Sequence, residues 1–192
     1  MIIDLDILQQ CAKNDQRAIK QLYEYCFHKL MPLCLRYHVN KEDARSSLNL
    51  AFMKIIQSLS TMELSKLNFD AWARRITNNT LVDEYRKRKN QETHYLKKDS
   101  ERELENASNL TTNEGLENLN YAALLELIQK LPETTRVVFN LFVIEGYPHN
   151  EIAEKLDIPL GTSKWHVSNA RKLLKEMLEK ITVNTHYNEF VG

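Results

Sequence analysis

The sequence has little of what breaks a chain into tight turns. It holds four glycines and four prolines in 192 residues. An all-β fold draws heavily on both residue types for its turns, so that fold class is disfavoured. No apolar run approaches ~18 residues, so no membrane span and no direct membrane insertion are expected. The start, Met1-Ile2-Ile3-Asp4-Leu5-Asp6, has neither a basic stretch nor an apolar core. It does not read as a signal peptide, and the protein is expected in the cytoplasm. Cysteine is scarce: Cys11, Cys26 and Cys34 are odd in number and lie among apolar neighbours. They are expected to be buried free thiols in a reducing compartment.

Ligand and catalytic spacings are also missing. His28, His38, His94, His149, His166 and His186 are scattered, without a paired pattern such as H-E-x-x-H. No two cysteines stand at zinc spacing, and there is no glycine-rich phosphate loop. The expectation is therefore no catalytic residue, no metal and no cofactor. Net charge is absent too, with 26 Lys and Arg against 26 Asp and Glu. A neutral chain argues against a uniformly basic nucleic-acid surface, so the placement of charge matters more than its sum.

What is present favours helix. Leu, Lys, Glu, Asn and Ile dominate, and most of these favour or tolerate helix. Ala18, Leu22, Tyr25, Cys26 and Leu30 follow helical spacing, with Pro32 marking a break or a first turn. A second helix starts near Asn40, as N-cap, with Asp43 reaching back as in a capping box. Leu48, Ala51, Phe52, Ile55 and Leu59 form its core stripe. Ser60 to Asn68 reads as a loop. A third helix runs from about Phe69 to Lys89 and buries Phe69, Trp72, Ala73, Ile76, Thr80 and Val82. The chain then turns polar and poor in large apolar residues, too little to offset the entropy of ordering. Periodicity resumes at Leu116, with Leu124, Leu127, Ile128 and Leu131 as one stripe. The fold class expected is all-α: two small helical domains joined by a flexible linker. The boundaries are 1–90 for the first domain, 91–117 for the linker, 118–182 for the second domain and 183–192 for a frayed tail.

The most informative stretch is Tyr147 to Val167. It fits a helix-turn-helix, in which a short helix supports a second that enters the major groove, although spacing alone also allows an ordinary helical hairpin. Ala153 permits close approach, Asp157 tolerates a left-handed turn, and Thr162 or Ser163 caps the second helix. Val167, Ala170 and Leu174 must face the core. Lys164, Trp165, Ser168, Asn169 and Lys172 then fall on the flank or the opposite face. Trp165 there either meets DNA or packs sideways on the helix pair, and an uncovered indole favours the first. Lys164, Arg171 and Lys172 would position phosphates, while Ser168 and Asn169 read base edges. In the third helix, Arg74, Arg75, Arg86, Lys87, Arg88 and Lys89 crowd together against Asp83 and Glu84. That strip is either a solvated charge run or a phosphate track, with Asn78 and Asn79 nearby to bond a base edge. Trp72 reads as core.

These residues resemble the extracytoplasmic-function (ECF) sigma factors of the sigma-70 family. Leu131-Pro132-Glu133, Val137-Val138-Phe139-Asn140-Leu141, Glu145-Gly146-Tyr147, Glu151-Ile152-Ala153, Gly161-Thr162-Ser163-Lys164 and Ala170-Arg171-Lys172-Leu173-Leu174 are similar to sigma region 4 in order and spacing. Glu42-Asp43-Ala44, Phe52, Phe69-Asp70-Ala71-Trp72, Arg75-Ile76, Asn79, Asp83 and Arg86 are similar to region 2. The resemblance implies promoter recognition, DNA melting and transcription initiation with core RNA polymerase. Region 4 would bind the minus-thirty-five element and the β flap through Thr162, Ser163, Lys164, Trp165, Ser168, Asn169, Arg171 and Lys172. Region 2 would bind the minus-ten element through Arg74, Arg75, Asn78, Asn79, Arg86, Lys87 and Arg88. Its Ser60–Asn68 loop would capture a flipped base beside Asn79. Asp43, Asn49 and Phe52 would meet the β′ clamp helices. The resemblance also implies an anti-sigma factor as partner. One departure stands out: Arg45, Ser46 and Leu50 occupy a face that is usually acidic in relatives. That change motivates an alternative, a helix-turn-helix regulator that binds DNA but does not recruit polymerase.

Overall fold

The structure is a computed structural model that describes the backbone of residues 3–96 and 116–191, with side-chain surroundings for 3–91 and 121–180. Its described residues form eight α-helices and no strand. The chain divides into two compact units, Met1–Ser108 and Asn109–Gly192. Most of the expected linker, 97–115, lies outside the described residues. Its first part, 91–96, belongs to a helix.

Unit 1 holds α1 (Leu5–Ala12), α2 (Gln16–Tyr37), α3 (Lys41–Leu59) and α4 (Phe69–Leu96). Each begins where the sequence supplies an acceptor for orphan N–H groups. Asp4 accepts from Ile7 N at 2.9 Å, and Asp15 from Arg17 N and Ala18 N at 3.0 and 2.9 Å. Asn40 accepts from Glu42 N at 2.8 Å, and Asn68 from Ala71 N at 3.2 Å. The capping box expected with Asp43 gives way to the Asn40 cap, and Asp43 stays exposed. A box uses the longer Glu or Gln at that position. Pro32 neither breaks nor starts a helix. It lies inside α2, where burial of Leu30, Leu33, Cys34 and Tyr37 offsets the lost backbone bond, a cost of about 3 kcal/mol.

Leu22, Leu33, Leu48, Ile55, Leu59 and Leu81 are fully buried where α2, α3 and α4 pack together. On α4 the expected face is turned slightly. Phe69, Ala73, Thr80 and Val82 are buried, Trp72 and Ile76 are half-buried, and Thr77, Asn78, Leu81 and Tyr85 join the interior. Thr77 and Thr80 fit there because their hydroxyls donate to the carbonyls of Ala73 and Ile76, at 2.8 and 2.9 Å. All three cysteines are free and buried. Burial pushes the pKa of Cys11 up to about 11 and those of Cys26 and Cys34 to about 12.

Unit 2 holds α5 (Leu116–Gln129), α6 (Glu133–Phe139), α7 (His149–Leu156) and α8 (Leu160–Val191). Pro132 stands at the N-cap of α6, and a π-helical turn, Asn140–Ile144, extends it. Gly146, at φ +76°, then reverses the chain as glycine does readily. Arg136 is buried, and its Nη1 donates to the carbonyls of Gln129 and Leu131 at 2.7 and 3.2 Å. It thereby closes the C-terminal end of α5. Ile128, Leu131, Phe139 and Ala170 form a core cluster with Leu173, Leu174 and Met177 packed against it. Leu124, expected in the same stripe, is exposed. The backbone is helical well beyond residue 182, where fraying was expected.

Truncating Leu141, which is fully buried, to alanine is expected to destabilise unit 2 by about 2–5 kcal/mol. Val143→Ala, at an exposed site two residues on, should stay within about 0.5 kcal/mol. Urea unfolding of the full chain measures both, and equal losses would contradict the packing described.

Candidate nucleic-acid interface

The turn between α7 and α8 sets the aim of α8. Asp157 sits in the left-handed region at φ 54°, ψ 50°, as expected of an aspartate there. Ile158 N donates to Ala153 O at 3.0 Å and seals the turn. Ile152, Leu156 and Val167 are buried between the helices, and Ile158 is half-buried. Neither Thr162 nor Ser163 caps α8, because the helix already starts at Leu160. Ser163 is fully buried, and its Oγ lies 2.9 Å from His149 Nδ1. Thr162 is half-buried.

At 100° per residue, buried Ser163, Val167 and Ala170 and half-buried Leu174 define one side of α8. Trp165, Ser168 and Lys172 project from the opposite side and are exposed, and Asn169 is half-buried beside them. Trp165 is 58% exposed and touches His166 edge-on at 4.9 Å. His166 in turn lies on the α6 flank, its Nδ1 3.0 Å from Thr135 Oγ1. Lys164 and Arg171 are exposed on the other flank, toward α7. The sideways-packed indole considered from sequence is not what the structure has.

In unit 1, Arg74, Arg75, Arg86 and Lys87 are exposed along α4, and Asn79 and Arg88 are half-buried. Of the two acids beside this strip, Asp83 is ion-paired across to α3 and Glu84 is half-buried. Asp83 meets Lys54 of α3 at 3.2 Å, and one carboxylate oxygen of Glu84 is buried. Asn78 is corrected from interface to interior. It is 3% exposed, and Tyr37 Oη donates to its Oδ1 at 3.3 Å. Helical rotation explains this, because position 78 follows buried Thr77 onto the same inner side. The loop of residues 60–68 contains a short 3-10 turn, Leu64–Lys66.

On α3, Asp43 and Asn49 are exposed, and Asn49 Oδ1 accepts from Tyr23 Oη at 2.9 Å. Phe52 does not face outward. It is buried, edge-on to Tyr23 with ring centroids 5.1 Å apart. Leu50 and Met53 are instead the exposed apolar groups of this helix, 49% and 55% accessible. Met53 was overlooked, although it falls off the core stripe of Leu48, Ala51, Phe52 and Ile55. His149 and Arg136 were likewise overlooked. No group of His, Cys, Asp and Glu suited to a metal occurs among the described residues. No helix among them is long and apolar enough to cross a membrane.

The Sigma-70 region 2 family model matches residues 22–91, and the Sigma-70, region 4 model matches residues 121–174. RNA polymerase sigma factor SigZ of Bacillus subtilis is 30% identical over 80% of this chain and 83% of its own length. The chain belongs to the ECF branch of the sigma-70 family. The ECF RNA polymerase sigma factor SigW of Bacillus subtilis is 27% identical over 91% of this chain and 96% of its own. The ECF RNA polymerase sigma-E factor of Escherichia coli K12 is 25% identical over 94% and 96%. A solved structure of the sigma factor RpoE with the anti-sigma factor NepR from Bartonella quintana shares the fold at TM-score 0.53. It is 19% identical and spans 83% of this chain and 96% of that one.

Burial lowers the pKa of His149, with Lys164 and Arg171 adding to the effect, and burial lowers that of His166. Both rings favour the neutral form in the fold. Their contribution to stability is complete above the unfolded value of about 6.5 and is lost as pH falls below it. Denaturant midpoints of unit 2 should therefore drop on acidification through this range. A midpoint that rises there would contradict the neutral contacts.

Proposed function

We propose that this sigma factor uses unit 1 to hold core RNA polymerase and the minus-ten element, and unit 2 to hold the minus-thirty-five element. The observation that carries the reading is the outward side of α8. An exposed tryptophan among lysines and hydrogen-bonding side chains lies in the stretch that matches region 4. Lys164, Arg171 and Lys172 would position phosphates, and Trp165, Ser168 and Asn169 would meet base edges. Arg74, Arg75, Arg86, Lys87 and Arg88 would track the backbone of the opened strand, with Asn79 beside the flipped base. Asp43, Asn49, Leu50 and Met53 would face the β′ clamp helices. Leu50 and Met53 make that contact more apolar and less dependent on charge. An anti-sigma factor would hold the protein inactive, as one binds the Bartonella relative.

The test is reconstitution with core polymerase. A stable complex that starts transcripts at promoters of the host supports the proposal. A chain that binds duplex DNA tightly but never core would favour the regulator alternative. Trp165→Ala should weaken minus-thirty-five binding about tenfold and leave core binding intact, measured by competition with the holoenzyme. Replacing Arg86 and Lys87 together by alanine should lower the slope of log affinity against log salt by about 1 to 2.

A further inference from the structure

His149 opens α7, and two contacts hold its ring. Its Nδ1 lies 2.9 Å from Ser163 Oγ, and the ring stacks on Phe142 at 4.1 Å with 15° between planes. This leaves Nε2, on the far edge of the ring, for a second partner. Because the bond is to Ser163, the ring sits beside the next residue, Lys164. Arg171 follows on the same flank, seven residues and about two turns further along α8. Three groups that carry or can carry positive charge therefore line one side of the helix-turn-helix.

The elements packed on α7 are α8 and the π-helical turn. The turn, Asn140–Ile144, brings no ionisable side chain, and Glu145 and Glu151 are the acids nearest in the chain. Glu151 is exposed, and Lys164 and Arg171 are the charges that act on the ring. Both oppose its protonation. When a helix-turn-helix docks, its first helix crosses the sugar-phosphate backbone.

We propose that His149, Lys164 and Arg171 together grip one DNA phosphate, and that His149 takes up a proton as the duplex binds. The proposal rests on the duplex-binding role given to unit 2. In the free protein, burial and the two cations disfavour the protonated ring. A phosphate placed among the three groups cancels their mutual repulsion. The ring then takes up a proton from solvent, and the imidazolium Nε2–H donates in a charge-assisted bond to a phosphate oxygen. The Ser163 contact survives, because the imidazolium Nδ1–H donates to the hydroxyl oxygen. Binding and protonation thus favour each other.

The experiment uses the full chain and a short mixed-sequence duplex, since a phosphate contact needs no particular promoter. Affinity at constant ionic strength should rise about three- to tenfold from about pH 8 to about pH 6. Calorimetry in two buffers of unlike ionisation enthalpy should show proton uptake on binding. His149→Asn, which keeps a polar atom near Ser163 but does not titrate, should flatten the pH profile and abolish the uptake. In the wild-type protein, the NMR titration of the His149 ring should shift to higher pH when duplex is added. Full pH dependence retained in H149N, or a ring titration that duplex leaves unmoved, overturns the proposal while the DNA-binding role stands. A chain that binds no duplex at any pH overturns that role as well.

Discussion

Val167 and Ala170 are buried against the rest of unit 2, and that burial decides how α8 presents itself. A helix that seats one side in a core must leave the other side in water. With Ser163, Val167, Ala170 and Leu174 turned inward, Trp165, Ser168 and Lys172 are left exposed on the other side, Trp165 edge-on to His166 and Lys172 4.0 Å from Glu176. A buried hydroxyl left without a partner is costly, so His149 opposite Ser163 helps hold the helix in this rotation. On the other flank, Thr135 and His166 form a matching contact. Which side chains α8 presents outside thus depends on small and polar side chains on the inside.

Charge follows the same logic of placement. The chain is neutral in sum, yet its charges are unevenly placed, and Arg74, Arg75, Arg86 and Lys87 lie exposed along one helix. Lys54 engages Asp83 across α3 and α4, and Glu84 turns an oxygen inward. Exposed ion pairs of this kind add little stability. The Lys54–Asp83 pair draws one acid away from Arg86 and Lys87, which face solvent. A zero net charge and a locally basic strip are therefore compatible in one molecule.

The helical class and the helix-turn-helix were legible because both rest on local signals: apolar spacing, an Asn40 cap, an Asp157 turn. The residues misjudged are those whose environment is set by neighbours distant in the chain. Asn78 looks like a base reader until Tyr37, forty-one residues earlier, bonds its amide inside the fold. Phe52 looks like a docking group until Tyr23 closes over it. Ser163 looks like a cap until His149 claims its hydroxyl. Pro32 looks like a break until tertiary burial on both sides of it carries α2 through. In each case a polar or awkward residue was placed by its local chemistry, and a long-range partner reassigned it.

The sealed thiols carry a consequence for oxidation. Thiolate, not thiol, attacks peroxides and alkylating agents. With their pKa pushed up to about 12 by burial, the thiols of Cys26 and Cys34 stay protonated at neutral pH. These sulfurs are out of reach of small oxidants while the helices stay packed. Oxidation of Cys26 or Cys34 therefore requires the helices of unit 1 to part first.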